Sequence, residues 1–379
     1  MNSFDLYRYS IPFYQPLTSA KGSITSRQGL ILTDDHHLWT EISPLPGFSK
    51  ETTSQAISFL TEYKNSIKQS LEDFTLSSFL ESHSEHLAPL PSVRFGLSML
   101  AEQQKALSET LPLSSLWLLN ENPAPTTSDF VIPAIKLNGI AGVSSEHQLL
   151  TSVSDLEKKG FECIKVKLPP QLNKAITRLE TLLSTFKSIR FRLDANQGFS
   201  PDEAMHLLKS LKGIQEKVSC VPIDYVEEPV FGDWLDVIPD LAAVGIPLAA
   251  DESVRCSEDA KKLLTSKGFR VLILKPCLFG SFSELKKVKH IASLASPEHS
   301  VVVSSSLESS IGIQLLKHLA AYFDPVSNTH HGLATTHLFS GSMDAPTITL
   351  SNHAGAGFSQ QISSVFSFHK EPACIKMDW

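Results

Sequence analysis

The chain has 379 residues, 42% apolar and 19% charged, with a formal net charge of −7. That length can bury one large core and a smaller second one, and the mild acidity without any Lys/Arg run or basic stripe excludes nucleic acid as a natural partner. The N-terminus MNSFDLYRYSIPFY has neither a signal-peptide layout nor a run long enough to cross a bilayer, and Cys163, Cys220, Cys256, Cys277 and Cys374 show no CxxC spacing; a cytoplasmic protein with reduced thiols and no membrane partner is expected.

In chain order, FDLYRYSIPF alternates like a half-buried antiparallel strand, and GLILTDD follows the Gly-containing turn KGSITSRQ. A third strand over 37–42 ends in turn-rich SPLPGFS. Helical patterns come next in KETTSQAISFLTEYKNSI, LEDFTLSSFLESH and SVRFGLSMLAEQQKAL. Strands first and helices after predict an α+β capping domain over 1–118. The tract NENPAPTTSDFVIP, with three prolines in fourteen residues, marks a linker taken as 119–132.

From 133 to 335 the rhythm becomes strand and helix in alternation, with AIKLNGI as first strand and NTHHGL as a weaker eighth. SPDEAMHLLKSLKGIQ reads as one intervening helix, with Ser200 as N-cap and Pro201 at the first helical position. The fold class predicted is α/β: a modified (β/α)8 TIM-type barrel with an N-terminal α+β capping domain. Residues 336–379, including ITLSNHAGAGF and SSVFSFHK, are expected to return to the cap.

Six polar residues end successive apolar runs of the barrel segment: Lys167, Asp194, Glu227, Asp251, Lys275 and Ser304, spaced by 27, 33, 24, 24 and 29 residues. Each gap fits one strand, one helix and their loops. A parallel barrel places every strand's C-terminal end on one face, so these residues meet at one mouth. Three carboxylates on three strands, without His or Cys, suit Mg²⁺, with Mn²⁺ as a substitute, and argue against zinc. A single Asp at a strand end is ordinarily a helix cap; three in register are not. Glu228 and Glu252 adjoin Glu227 and Asp251. If the latter two face inward, strand alternation casts the former as supporting or helix-contacting groups, and spacing alone leaves the choice within each pair open.

Lys165 and Lys167 share a strand face. Beside a dication, each ammonium disfavours protonation of the other, which suits one of them to general-base work. Lys275 closes the apolar run VLILK and needs a charged partner, which the carboxylates supply. Arg192 shares the face of Asp194, as a structural ion pair or beside an anionic substrate. Cys163 and Cys277 are expected near the mouth, more plausibly as packed thiols than as reactive ones. The Ser304–Ser306 run lacks GxSxG and is no hydrolase nucleophile.

The motifs KxK (165–167), DAN (194–196), EEP (227–229), DES (251–253) and KP (275–276) resemble the enolase superfamily, in the subgroup with lysines on opposite sides of the site. WTEISPLPGFSKET (39–52), LPSVRFGLSMLAE (90–102), KPCLFGS (275–281) and VVSSSLESSIGI (302–313) narrow the resemblance to its dehydratase branch acting on 2-succinyl-6-hydroxy-2,4-cyclohexadiene-1-carboxylate in menaquinone biosynthesis. The resemblance implies that Lys167 is the acid/base and that Asp194, Glu227 and Asp251 hold Mg²⁺. It further implies that Lys275 stabilises the enediolate and that Lys165 supports Lys167. Ser304 and the Gly332 backbone would receive the succinyl end, with Arg192 and Asn196 as further substrate-binding candidates and Ala20–Gly29 as a lid. The partner implied is a small carboxylate substrate; a monomer is compatible with the chain, whose oligomeric state the sequence leaves open. Two departures are extra segments near 66–88 and 119–130, and Ala250 where a bulkier residue is expected.

Two other readings compete. An N-acylamino acid racemase or dipeptide epimerase would use the same lysines, but the aspartate-rich motif expected after the eighth strand is replaced by HHGLATTHLF. A non-catalytic binding barrel would have no need of five ionisable groups in register.

Overall fold

The structure is a computed structural model, and it describes residues 4–19, 22–34, 37–121, 133–142, 145–232, 235–266, 268–295, 299–340, 347–348, 355–356, 374–377 and 379. The first sheet is antiparallel. Strands β1 (Asp5–Ser19), β2 (Gly22–Thr33) and β3 (Trp39–Ile42) run in sequence, and β13 (Cys374–Lys376) pairs with the outer edge of β1. The hairpin is longer than predicted: KGSITSRQ is mostly strand, because Arg27, Ser26 and Ile24 pair with Ile11, Pro12 and Leu17 across a register shift. The same pairing puts the proposed lid residues from Gly22 onward in β2. Ala20 and the next residue lie outside the described residues. The helix Pro91–Ser108 packs beneath this sheet, and Leu30, Leu32, Ile42, Phe59, Leu60, Val93 and Leu97 join in one core there.

The segment 66–88, expected to be an insertion, folds as three short helices, Lys64–Glu72, Leu76–Ser82 and Ser84–Leu87, which bury Ile67, Leu71, Leu76, Phe79 and Leu87 in that same core. The linker at 119–132 falls mainly outside the described residues, as does most of 336–379. What is described there includes β13 and the pair β12 (Thr347–Ile348) with β4 (Ile135–Lys136).

The second sheet is parallel, with seven strands in the order β11-β10-β9-β8-β7-β6-β5. These are β5 (Gly139–Ala141), β6 (Cys163–Lys167), β7 (Arg190–Asp194), β8 (Tyr225–Glu227), β9 (Leu248–Ala250), β10 (Phe269–Leu274) and β11 (Ser300–Val303). Parallel bridges Ser304↔Gly332 and Leu137↔His331 join the far edge back to the β4–β5 segment. The 331–332 segment thereby serves as the eighth, shortest stave, where NTHHGL was expected to lie.

Helices separate the strands for local reasons. At Pro201–Val218, the Ser200 hydroxyl accepts the Glu203 N–H while the Ser200 N–H donates to the Glu203 carboxylate at 2.9 Å. This reciprocal cap satisfies donors that a helix start leaves orphaned, and Asp202 and Glu203 favour the positive end of the helix dipole. Strand alternation then sorts the side chains. Val166, Leu193, Val226, Leu248, Leu272 and Val303 face the helices in one continuous core, whereas Tyr225, Ala249, Val271, Ile273 and Val302 form a separate cluster inside the barrel. Residues two positions beyond that inner cluster reach the mouth. Ala250 belongs to the outer core, so its small size bears on helix packing and not on the pocket lining.

Candidate active site

Register sets the site. Lys167 lies opposite Asp194, and Asp194 opposite Glu227, across three adjacent strands. One layer down, Lys165 lies opposite Arg192, which lies opposite Tyr225. Lys165 reaches up from that layer: its Nζ is 2.9 Å from Asp194 Oδ2 and 2.7 Å from Glu227 Oε1. Lys275, just past β10, pairs with Asp251, just past β9. Five ionisable side chains from five successive strands thus stand at one strand-end face. Among the described residues Lys167 Nζ makes no hydrogen bond, which leaves its ammonium for another partner.

The charges are strongly coupled. Burial pulls the Lys165 pKa down, but Asp194 and Glu227 outweigh it and hold the group well above its usual value. Lys275 behaves likewise: burial lowers it, Asp251 and Glu252 raise it more, and the net shift is upward. Burial pushes Glu227 well above the carboxylate range; Lys165 opposes this and the neighbouring Asp194 and Asp251 add to it. Burial also raises Asp251, yet Lys275 and Lys165 bring it down to about 2. Lys165 is therefore the fixed positive charge of the pair at 165–167, and Lys167 is the member without a carboxylate contact among the described residues.

Glu228 shows what the second acid of EEP does. It is fully buried, with its backbone in the left-handed region at φ 40°. Its Oε1 accepts the N–H groups of Asp251 at 2.9 Å and Ser253 at 2.7 Å, and Oε2 accepts the Ser253 hydroxyl at 3.0 Å. One carboxylate thus holds the whole DES turn and with it Asp251. Burial, partly offset by the Ser253 N–H, pushes its pKa up to about 7. Glu252 departs from the strand alternation because β9 has already ended at Ala250; burial first and Asp251 second raise its pKa, with Lys275 opposing.

The oxygen donors suit a hard divalent cation. Glu227 Oε2, Asp251 Oδ1 and Glu252 Oε2 are buried and accept no hydrogen bond among the described residues. Anionic oxygens buried without a donor are costly unless positive charge compensates them. The carboxylates are turned onto the two lysines, however, and among the described residues no three His, Cys, Asp or Glu converge in a metal-holding group.

Other predicted residues are placed as follows. Ser304 and Gly332 meet: a Cβ on Gly332 would lie 2.7 Å from Ser304 Oγ, so any larger residue there would displace the Ser304 hydroxyl. Asn196 is exposed at φ 46°, and its N–H donates to Asp194 Oδ1 at 3.1 Å. Arg192 makes the structural ion pair that was one of its two expected roles. It is buried with Nε 2.7 Å from Asp224, and Nη1 donates to Asn138 Oδ1 at 2.9 Å and the His330 carbonyl at 2.6 Å. Cys163 opens β6 at the end away from the mouth, contrary to expectation, and its thiol is pushed up to about 11 by burial. Cys277 is buried as well, with its pKa raised by burial.

Sequence reasoning missed Glu41 and Arg27. Glu41 lies in β3 and Arg27 in β2, yet both bond to the turn after β11. Glu41 lies inside the motif WTEISPLPGFSKET and Arg27 inside the segment Ala20–Gly29, but neither pattern states which distant turn such a charge will meet.

Residues 148–356 match the family described as Enolase C-terminal domain-like, and residues 1–104 match the MenC N-terminal domain. The chain therefore belongs to the enolase C-terminal domain-like family. Its curated relatives include the o-succinylbenzoate synthases of Salmonella typhimurium and Salmonella typhi, each 27% identical over 350 residues that span 91% of this chain and 94% of theirs. The chain is thus similar over nearly its whole length to enzymes named o-succinylbenzoate synthase. Solved structures with the same fold include N-succinyl Arg/Lys racemase from Bacillus cereus (TM-score 0.80, 17% identity, 99% of this chain and 98% of that one). A dipeptide epimerase from Enterococcus faecalis complexed with Mg and L-Leu-L-Tyr is similar (TM-score 0.78, 21% identity, 95% and 99%). No helix among the described residues is long and apolar enough to cross a membrane.

Proposed function

We propose that the chain dehydrates 2-succinyl-6-hydroxy-2,4-cyclohexadiene-1-carboxylate to 2-succinylbenzoate, with Mg²⁺ as cofactor, in menaquinone biosynthesis in the cytoplasm. The observation that carries this reading is the convergence of Lys165, Asp194, Glu227, Asp251 and Lys275 at one strand-end face, in a chain similar over 91% of its length to o-succinylbenzoate synthases.

Asp194, Glu227 and Asp251 would hold the ion, and Glu228 keeps Asp251 in place through the DES turn. Bound there, Mg²⁺ supplies positive charge to the substrate carboxylate, which makes the adjacent proton more acidic. Lys167, free of carboxylate contacts, takes that α-proton and then returns a proton to the departing hydroxyl, so that water leaves from the same face. Lys275 sits across the site and stabilises the second negative charge that develops on the carboxylate in a water-poor pocket. Lys165 stays charged between Asp194 and Glu227 and supports Lys167 from the layer below. Ser304 and the Gly332 backbone receive the succinyl end.

Racemisation of an N-acylamino acid is the second reading, favoured by the lysines on opposite sides and by a fold shared with racemases and epimerases. Purified protein, with and without EDTA, is assayed for loss of the cyclohexadiene chromophore. EDTA-sensitive loss is the expected result. Clean Mg²⁺-dependent epimerisation of an N-succinylamino acid without dehydration would reject the first reading in favour of the second.

A further inference from the structure

We propose that Arg27 and Glu41, on the N-terminal sheet, are positioning residues that set the substrate's distal end by fixing the turn that follows β11. The inference rests on the reading of Ser304 and Gly332 as the receptors of that end.

The turn from Ser304 to Gly312 is bound from two sides. On the barrel side, Ser304 N–H donates to the Leu274 carbonyl at 2.8 Å and Ser305 N–H to the Gly332 carbonyl at 2.9 Å. Within the turn, Glu308 Oε2 accepts the Ser305 hydroxyl at 2.7 Å and the Ser306 N–H at 2.6 Å. On the opposite side the contacts come from the first forty-odd residues. Arg27 is 1% exposed; its Nε donates to the Leu307 carbonyl at 3.0 Å, while its Nη1 and Nη2 hold the Pro44 and Ser43 carbonyls. Leu307 is in the left-handed region at φ 67°, a conformation a Leu keeps only when its surroundings impose it.

Glu41 completes the attachment. Its Oε2 accepts the Ser309 N–H at 3.0 Å and the Gly312 N–H at 2.9 Å, and the hydroxyls of Ser309 and Tyr9 also donate to the carboxylate. Ser309 caps the helix Ser310–Phe323, so a carboxylate from β3 sits where that helix's first N–H groups point. A Cβ on Gly312 would lie 2.5 Å from Glu308 Cβ and 2.9 Å from Glu41 Oε2; the glycine makes room for both acids. A buried guanidinium spread over four carbonyls, those of Gln28, Ser43, Pro44 and Leu307, is a rigid fork that lysine cannot reproduce. Moving it shifts Leu307, three residues from Ser304, and leaves the lysines and carboxylates of β6 to β10 untouched.

The test uses the Mg²⁺-loaded full chain and the variants Arg27→Lys, Gly312→Ala and Ser304→Ala. Arg27→Lys is expected to raise KM for the cyclohexadiene substrate about tenfold with a smaller change in kcat, as misplacement of a binding group by a fraction of an ångström does. Its affinity for 2-succinylbenzoate falls in parallel, whereas its affinity for benzoate, which lacks the distal arm, does not. Arg27→Lys combined with Ser304→Ala loses no more than the larger single loss, because both act at one contact. Equal losses for both ligands, additive losses in the double variant, or unchanged KM would each overturn the proposal. Should Arg27→Lys fail to fold, Gly312→Ala carries the same comparison from the other side of the turn. A wild-type protein that neither binds 2-succinylbenzoate nor dehydrates the substrate would instead refute the proposed function.

Discussion

Replacing Glu228 by methionine and, separately, by glutamine separates its shape from its hydrogen bonding. In the native chain its carboxylate takes the N–H groups of Asp251 and Ser253 and the Ser253 hydroxyl. Methionine fills similar space but leaves both N–H groups buried without acceptors. Each such orphan costs about 1–3 kcal/mol, so the two together cost about 2–6 kcal/mol, a large part of the stability of an ordinary domain. Glutamine keeps an oxygen for the two N–H groups and can donate to the Ser253 hydroxyl, so its loss is that of charge assistance, about 1 kcal/mol. The turn carries Asp251, and partners that orient metal ligands typically contribute about 10–100-fold to metal affinity. Urea unfolding should therefore show a loss several times larger for Glu228→Met than for Glu228→Gln. Calorimetric titration with Mg²⁺ should show at least tenfold weakening for Met and a few-fold change for Gln. Equal effects of the two substitutions, or a Met variant that binds Mg²⁺ like the wild type, would refute the assignment of Glu228 as the group that holds Asp251.

Three further outcomes are expected. Lys167→Ala abolishes turnover while circular dichroism and Mg²⁺ binding stay native, since Lys167 Nζ makes no hydrogen bond among the described residues; residual dehydration above about one part in a hundred would reassign the base. Gly332→Ala brings a Cβ to 2.7 Å from Ser304 Oγ, and it should weaken 2-succinylbenzoate binding more than benzoate binding in a competition assay. His318, buried behind the barrel with Nδ1 3.1 Å from the Ser114 hydroxyl, has its pKa brought down to about 4, chiefly by burial. A histidine depressed in the folded state binds its proton on unfolding, so its contribution is full above pH about 6.5 and is lost as pH falls toward about 4. Between pH 7 and pH 5 that loss is about 2 kcal/mol. His318→Gln should remove about that much of the pH dependence of urea unfolding, and an unchanged dependence would show that His318 is already protonated in the fold.

The polar residues that end each apolar run were readable in sequence because a parallel barrel imposes two strict rules. One strand plus one helix sets the interval between Lys167, Asp194, Glu227, Asp251 and Lys275, and strand alternation sets which neighbour faces in. Both rules are local, so spacing carried the barrel and the acidic trio, while the family rested on the motifs that stand at those positions. The extent of the first hairpin was not readable, since KGSITSRQ has turn composition and becomes strand only because β1 offers it a partner. Arg192 has the right face and the wrong height: one layer below Asp194 it meets Asp224, Asn138 and the His330 carbonyl, and no one-dimensional pattern states a depth. Which lysine is pinned by acids and which is left without them was likewise decided by reach across three strands, where Lys165 found Asp194 and Glu227. The attachment of Glu41 to the helix at Ser310, across 268 residues from Glu41 to Ser309, exists only once the first sheet is docked on the barrel, because burial makes a charge seek whatever donors the assembled fold provides.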